Sequence, residues 1–455
     1  MSVRKEIPAP AVGSPRTGNS LYYSLTVPSQ RARARILDCI AWVRNGSEPA
    51  AGSPVGLHVR LPSGDPPSFF TLMPAGAVTA AERSYDRVLA VHARDDGTEQ
   101  VLVGEAAGKV IVNFDLFAWE NFLQHERYFE RPRPLFTRLP FPYFWIPPAV
   151  RNFLLRVLAA ARRSSAGERA ARPGFPDWPA EPSLDSLRRV IWTAAARLAG
   201  VDLDSSPYPG GRAFACLLTH DVDTIAGIAA VEPIRAAERK FGFTSAWSFL
   251  SRRYRAPDDV MRRLIDEGCE VISHGYLHDG RLPYLAPTRM RRRLGYLFAT
   301  HPWLRPHVHG VRSGQTMRSD RLLTAMLEFF EYDSTFPDTE RDGPYGAASG
   351  CCTVFPFRAS SGIVEIPLTV PQDFYLLFVH RKGLAGLADA WRRKLEYIER
   401  LQGCADLILH PEHVLRDEAL LTCYAEFLNY LSDLSAWVTT PYELLQFYRA
   451  RENRE

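Results

Sequence analysis

The sequence predicts an α/β protein whose larger, C-terminal part is a parallel (β/α) barrel. From residue 214 onward, short apolar runs of strand length alternate with segments of helical periodicity. Roughly seven or eight βα units follow one another, which is typical of a closed parallel barrel. Several runs lead directly into aspartate or histidine, and such barrels carry their chemistry at the carboxyl ends of the strands.

Each predicted strand is a short run of mainly apolar residues between turn-forming or helical segments, and each predicted helix repeats apolar residues at helical spacing. Strands are expected at 214–218, 244–250, 270–273, 309–311, 332–334, 363–368, 407–410 and 436–439. Helices are expected at 258–267, 288–300, 321–330, 384–401 and 417–431.

The residues before the barrel predict a small α+β domain and a helical connector. Short apolar segments alternate with turn-rich stretches, and Asp115 is placed to cap an aromatic helix over 116–129. No catalytic constellation precedes residue 210, so the role of residues 1–205 stays open. The expected division is a disordered leader (1–20), an N-terminal α+β domain (21–140), a connector (141–205) with helices at 152–163 and 184–198, the barrel (206–447) and a tail (448–455).

Composition and charge narrow the class of protein. The net charge of +4 over 455 residues and the absence of a dense Lys/Arg tract give no support to a nucleic-acid partner, and none to a membrane surface or an anionic substrate. The seven cysteines are odd in number and scattered, which favours a reducing compartment. Neither a signal peptide nor a transmembrane segment is predicted, so we expect a cytoplasmic protein.

Two carboxylates at the end of the first barrel strand are the strongest local signal. Asp221 and Asp223 stand one residue apart after the apolar run 214–218. Side chains two positions apart in an extended segment leave the same face, so both can point into one site. Like charges held that close are costly unless a cation lies between them or one is protonated. A turn or a helix cap is the alternative reading of the pair taken alone.

Two histidines follow a second strand. His274 and His278 stand four residues apart after the strand 270–273, a spacing at which both imidazoles reach one point. Two histidines and one carboxylate, with open positions for water, are the ligand set of a catalytic metal rather than a structural one. The combination with the paired aspartates makes coincidence a poor explanation.

Five motifs follow one another in the C-terminal part: Thr-x-Asp-x within 219–223, the strand at 242–249, His-x-x-x-His within 268–278, the arginine motif at 310–314 and the late Leu-x-His motif within 407–410 (Leu-Ile-Leu-His). In this order they resemble the polysaccharide deacetylases of carbohydrate esterase family four, over residues 206–447. Segments 332–335 and 367–373 also resemble a bacterial branch of that family.

The resemblance implies a distorted (β/α) barrel of about seven strands and a role for each motif residue. Asp221 is then the general base, and Arg312 pairs with it and holds its orientation. His410 is the general acid that protonates the leaving amine. The implied ligands of one divalent metal ion are Asp223, His274 and His278. Zinc suits this ligand set, and cobalt, nickel and manganese suit it too.

The chain departs from the family pattern in two places. The family has two adjacent aspartates, whereas Val222 separates Asp221 from Asp223, so the base and ligand roles are open to exchange. The arginine motif lacks its usual proline and aromatic residue and has 313–315 (Ser-Gly-Gln) instead. Three further residues are candidates for supporting the site. Asp333 could orient His410 or form a turn before Ser334, His220 could support the aspartates or pack in the core, and Asp373 could line the cleft.

The function implied is removal of an N-acyl group, such as acetyl, from an amino sugar in a glycan or glycan precursor. A lipid- or nucleotide-linked sugar is the expected form of an intracellular substrate. One alternative is hydrolysis of a non-sugar linear or cyclic amide. Another is an inactive glycan-binding barrel, which retention of base, ligands, arginine and acid argues against. The oligomeric state is not predicted.

Overall fold

The computed structural model describes most of the chain as two β-sheets with their helices. The described residues are 22–42, 55–62, 66, 68–74, 78, 84–129, 131–146, 175–341, 343, 345 and 348–453. The predicted leader and the predicted helix at 152–163 lie outside them. Within these ranges, no helix combines the length and the apolar character needed to cross a membrane.

The N-terminal sheet has six strands in the order β1-β6-β5-β4-β2-β3, antiparallel except for the β1–β6 pair. Asp115 caps the helix that follows, as predicted, because its Oδ1 accepts a hydrogen bond of 3.0 Å from Ala118 N. The strands are β1 (Ile40–Trp42), β2 (Val55–Arg60), β3 (Ser68–Met73), β4 (Arg87–Ala93), β5 (Glu99–Ala106) and β6 (Lys109–Val112); the helices are α1 (Tyr22–Leu25), α2 (Gln30–Asp38), α3 (Leu116–Gln124) and α4 (Ser183–Ala199).

The second sheet is built mainly of parallel strands. Helices separate most of its consecutive strands, but the structure describes no helix between Asp333 and Val364. The strands are β7 (Phe214–Val222), β8 (Ala246–Phe249), β9 (Glu270–Ser273), β10 (Gly310–Val311), β11 (Tyr332–Asp333), β12 (Phe357–Arg358), β13 (Val364–Glu365), β14 (Cys404–Ile408) and β15 (Ala436–Thr439). The helices are α5 (Ile228–Arg239), α6 (Asp258–Asp266), α7 (Pro287–Leu294), α8 (Tyr296–Thr300), α9 (Asp320–Met326), α10 (Gly383–Leu401), α11 (Pro411–Arg416), α12 (Glu418–Ser432) and α13 (Pro441–Glu452).

The second sheet curls into a distorted barrel, which confirms the predicted fold class. Neighbouring strands run β7-β8-β9-β10-β11-β13 in parallel, and β14 lies on the other side of β7. An irregular segment after β13 approaches β14, where Val370 N donates to Asp406 O at 3.0 Å and Asp406 N donates to Thr369 Oγ1 at 2.8 Å. The distortion arises because this segment replaces a regular strand and because β15 is wedged beside the first half of β7.

Element types agree with the sequence better than element ends do. The predicted helix at 288–300 is two helices separated at Gly295, whose lack of a side chain lowers helix propensity. The predicted strand at 407–410 starts earlier, at Cys404, and ends at Ile408. Residues 448–452, predicted to lie in a tail, complete α13, where Tyr448 is buried and its hydroxyl lies 3.1 Å from that of Tyr208.

Buried polar contacts join the N-terminal sheet and α4 to the barrel. Arg188 of α4 donates from Nε to Glu120 Oε1 at 2.7 Å, and both side chains are buried. Asp185 of α4 accepts from Val354 N at 2.8 Å. Arg318, after β10, donates to Glu126 Oε2 at 2.7 Å. One apolar core runs through both sheets, so the N-terminal residues are packed against the barrel.

Candidate metal and catalytic site

The candidate site lies where β7 ends, and the pleat of this strand decides which side chains reach it. β7 is buried along its whole length, as expected of a strand covered on both faces. Thr219 Oγ1 and Asp221 Oδ1 both accept hydrogen bonds from Arg312 Nη1, so the two side chains leave the same face of the strand. Asp223 follows on that face. The two aspartate side chains therefore lie on one face, as the sequence predicts.

Asp223 and the two histidines converge on one point. Asp223 Oδ1 lies 3.1 Å from His274 Nε2 and 3.3 Å from His278 Nε2. Asp223 Oδ1 and His274 Nε2 are both buried and lack a hydrogen-bond partner among the described residues. His274 Nδ1 lies 3.2 Å from the carbonyl of Arg312, which makes Nδ1 the donor and leaves the Nε2 lone pair free. Unpartnered buried atoms of this kind fit a divalent cation.

His278 reaches the same point from a tight loop rather than from a helix. Its backbone has φ +57°, and Gly314 packs so closely that a Cβ there would lie 2.8 Å from the His278 ring. Burial lowers the pKa of His278 to about 4, so the ring is neutral at pH 7, as a metal ligand must be. Gln315 N donates to its Nε2 at 3.2 Å, a hydrogen bond that metal binding through this atom would replace.

Asp221 is held apart from the histidines by its own partners. Its Oδ1 accepts from Arg312 Nη1 at 2.9 Å and from Ser248 Oγ, while its Oδ2 is 3.8 Å from His274 Nε2. Burial raises the pKa of this carboxyl, but the charges of Arg312 and His410 and the hydrogen bond from Ser248 outweigh burial and lower it to about 2. Asp221 is therefore a fixed carboxylate with one oxygen turned toward the candidate metal point.

Arg312 has a second carboxylate partner that sequence reasoning missed. The buried guanidinium donates to Asp406 Oδ2 at 3.0 Å and to the carbonyl of Ser334 at 2.9 Å. Burial raises the pKa of Asp406, and the charge of Arg312 opposes that effect. A signal was available, because Asp406 is a charged residue inside an apolar strand, and it stands an even number of positions before His410.

His410 is held by Asp373 rather than by Asp333. His410 Nδ1 lies 2.6 Å from Asp373 Oδ1, and His410 N donates to Asp373 Oδ2 at 3.0 Å. His413 Nδ1 contacts that second oxygen at 2.8 Å, so two histidines share one buried carboxylate. Burial lowers the pKa of His410, but the charge of Asp373 and its hydrogen bond raise it to about 10. Strand β14 pairs with β7 in the register that sets Ile408 opposite Thr219, so His410 lies next to Asp221 at the strand ends.

Asp373, His410 and His413 also form a compact group of possible ligand atoms. Both histidines direct Nδ1 at Asp373 within hydrogen-bond distance, so the described contacts satisfy these atoms without a cation. The group formed by Asp223, His274 and His278 differs, because its buried Asp223 Oδ1 and His274 Nε2 have no hydrogen-bond partner among the described residues.

Two residues predicted to support the site lie elsewhere. Asp333 accepts from Thr335 Oγ1 and is paired in register with Glu365, so the predicted contact with His410 is not formed. His220 leaves the opposite face of β7 from Asp221, because side chains alternate along a strand. Its Nε2 lies 2.7 Å from Glu238 Oε1 and its ring packs against Trp247, which is a structural role.

The fold is similar to several solved structures at low sequence identity. A putative polysaccharide deacetylase from Mycobacterium smegmatis is 20% identical with a TM-score of 0.44, over 54% of this chain and 93% of that one. A probable polysaccharide deacetylase from Pseudomonas aeruginosa is 12% identical with a TM-score of 0.45, over 55% and 95%. Puue allantoinase is 15% identical with a TM-score of 0.42, over 53% and 92%. No protein-family profile and no curated protein sequence matches the chain.

Proposed function

We propose that this protein is a metal-dependent hydrolase that removes an N-acyl group, acetyl being the simplest, from an amino sugar. The observation that carries the proposal is that three different kinds of group, each held by its own contacts, lie around one point. A three-ligand group with orphaned buried atoms lies beside a separately held carboxylate and a separately held imidazolium. Hydrolysis of an amide needs all three parts: an electrophile, a base and an acid.

The cation is assigned to Asp223, His274 and His278. When bound there, a divalent ion supplies Lewis-acid polarisation of the acyl carbonyl and lowers the pKa of water. Two histidines and one carboxylate suit zinc, and also cobalt, nickel or manganese. The alternative in which Asp221 is the ligand is disfavoured, because its Oδ1 is already engaged by Arg312 and Ser248.

Asp221 is assigned as the general base. Its free Oδ2 faces the metal point, and the Arg312 guanidinium fixes the carboxylate in one orientation. A carboxylate of low pKa is a weak base in water, so its contribution rests on position: it accepts the proton of an attacking water within hydrogen-bond reach.

His410 is assigned as the general acid. An amide nitrogen must be protonated before it leaves, so the imidazole must carry a proton when the tetrahedral intermediate collapses. The Asp373 carboxylate keeps that proton on His410 across the neutral range. Ser313 N, in the loop after Arg312, donates to Thr335 Oγ1 and is therefore not free to stabilise an oxyanion.

The deciding experiment separates ligand from base. We expect His274→Ala and Asp223→Asn to lose bound metal by elemental analysis, and Asp221→Asn to keep the metal but lose acetate release from N-acetylated amino sugars. Asp221 and Asp223 are matched controls, since each variant removes one charge. Metal loss in Asp221→Asn together with retention in Asp223→Asn would exchange the two roles.

The substrate class is tested on the same preparations. N-acetylated oligosaccharides, lipid-linked amino sugars and small linear or cyclic amides are compared with the metal-replete protein. Turnover of the small amides alone would replace the sugar proposal with the amide alternative. Full metal occupancy with no turnover of any of them would favour a binding protein. A cytoplasmic location stays a prediction, checked by fractionating native cells.

A further inference from the structure

Exposed apolar side chains are concentrated around the mouth of the candidate site. Ten large apolar side chains are exposed among the described residues, and eight of them belong to segments that adjoin the candidate site: the turn after Asp223, residues 374–379, α11 and residues 135–145. Val55 and Leu327 are the other two. We call the eight the apolar rim: Leu135, Phe141, Trp145, Ile225, Phe374, Phe378, Val379 and Leu415.

One half of the apolar rim borders the general acid. Phe374 directly follows Asp373, and the ring centroids of Phe378 and His413 are 4.7 Å apart. Leu415 lies on α11, which begins just after His410, and is 45% exposed. Ile225, in the turn after Asp223, is 57% exposed, and α11 packs against that turn. These side chains therefore belong to the segments next to His410.

The other half borders the metal ligands. Arg281, just after His278, donates to the carbonyls of Leu139 and Phe141, which ties the 135–145 segment to the site. The rings of Phe141 and Trp145 are parallel, with an interplanar angle of 5° and centroids 6.5 Å apart, and Trp145 is 69% exposed. Monomeric proteins rarely expose so many large apolar groups around one opening without a partner for them.

Basic side chains are interspersed with the apolar rim. Arg381 and Lys382 follow Val379, Arg416 follows Leu415, and Arg252 and Arg255 lie on the loop after β8. All five are exposed, and none forms an ion pair with another described residue. The nearest exposed acids after Arg416 are Asp417 and Glu418, which form the cap and first turn of α12.

We propose that the apolar rim and these basic residues dock on an anionic lipid bilayer, and that the substrate is an N-acylated amino sugar presented there on a lipid carrier. The substrate clause rests on the proposed function; the docking clause does not. Aliphatic and aromatic groups that enter the headgroup region, flanked by Arg and Lys that meet anionic headgroups, are the pattern of interfacial binding. Aliphatic Ile225, Val379 and Leu415 fit acyl chains better than they fit a bare sugar.

The docking test is co-sedimentation of the full chain with phosphatidylcholine vesicles, with and without phosphatidylglycerol. We expect binding to the anionic vesicles. Arg381→Gln/Lys382→Gln should weaken it by about 30-fold, because each basic side chain near an anionic surface contributes roughly a factor of five. Trp145→Ser/Val379→Ser/Leu415→Ser should weaken it by about ten-fold or more.

Matched controls carry the same changes away from this face. Leu327→Ser removes an exposed apolar side chain, and Lys109→Gln/Lys240→Gln removes two exposed charges; both should bind like the wild type. Circular dichroism confirms that each variant is folded. Absence of vesicle binding, or equal binding by rim and control variants, would overturn the proposal. So would a wild-type dimer that the triple rim variant converts to a monomer, since the rim would then be an interface between copies.

Activity separates this proposal from the proposed function. The triple rim variant should hydrolyse a soluble N-acetylated sugar like the wild type, yet lose turnover of a lipid-linked N-acyl sugar in vesicles. Vesicle binding with no hydrolysis of any N-acyl sugar would defeat the proposed function and leave docking standing. If the triple rim variant loses activity equally on the vesicle-borne and the soluble sugar, or loses none on either, the rim has no role in presenting the substrate.

Discussion

Asp373→Asn tests whether His410 works as an acid. Asp373 is buried and accepts two hydrogen bonds from His410, one from the ring and one from the backbone. Asparagine has nearly the same shape and retains one acceptor oxygen, but it carries no charge. The substitution therefore removes the electrostatic support of the imidazolium while leaving the packing of the loop largely unchanged.

The size of the effect follows from the pKa of His410. With Asp373 in place the pKa is about 10, against an ordinary value of 6.5. Without the Asp373 carboxylate, burial should bring the pKa of His410 toward the ordinary value, against the weaker effect of the Asp223 and Asp221 charges. A group with a pKa of 6.5 is about 3% protonated near pH 8, so the acid step should slow by about 30-fold or more there, and far less near pH 6. A bound divalent cation would lower both pKa values without removing the difference between them.

The assay is the pH dependence of kcat for release of acetate from an N-acetylated sugar. In the wild type the alkaline limb should lie well above neutrality; in Asp373→Asn it should move below pH 7, with bound metal unchanged. His413→Gln is the control, because it removes the other partner of Asp373 and leaves the contact with His410. A loss that is equal at every pH would show that Asp373 acts only on structure.

Three further changes test the packing around the site. Asp406→Asn should lower the free energy of unfolding by about 3 kcal/mol in urea, because buried Arg312 keeps only one carboxylate; a loss below about 1 kcal/mol would contradict this. Glu126→Gln should lower the free energy of unfolding by about 3–5 kcal/mol, because buried Arg318 then has no carboxylate partner. Glu99→Gln, in the exposed pair with Arg60, should lower it by less than about 1 kcal/mol. Burial raises the pKa of Glu270 from 4.5 to about 7, so the contribution of this group to the free energy of unfolding is complete below about pH 4.5 and is lost as the pH rises through 7. The free energy of unfolding of the wild type should therefore fall between pH 5 and 8, and Glu270→Gln should remove about 3 kcal/mol of that fall. An identical fall in both proteins would refute this reasoning.

The candidate ligands were predictable because their spacing is local. Asp221 and Asp223 share a face through the pleat of one strand, and His274 and His278 belong to one short loop. Neither relation depends on how distant parts of the chain meet. The helix cap at Asp115 was predictable for the same reason, since a cap involves residues only three positions apart.

The partners of the acid and of the arginine were harder to predict. Asp373 and His410 are 37 residues apart, and Arg312 and Asp406 are 94 apart. These contacts form only because the barrel closes between the segment after β13 and β14. Asp333 was one candidate partner of His410, but it accepts a hydrogen bond from Thr335 and is paired in register with Glu365 instead.

By itself the sequence determined the alternation of strands and helices, the α/β class and the residues that carry the candidate chemistry, because these depend on periodicity and short spacing along the chain. The tertiary structure decided which aspartate faces the histidines, since Arg312 and Ser248 on other strands hold Asp221 away from them. It also brought the segments of the apolar rim next to the candidate site, although composition had given no support to a membrane surface. The physical reason is the same in both cases: side chains distant in sequence meet only when the strands close into a barrel.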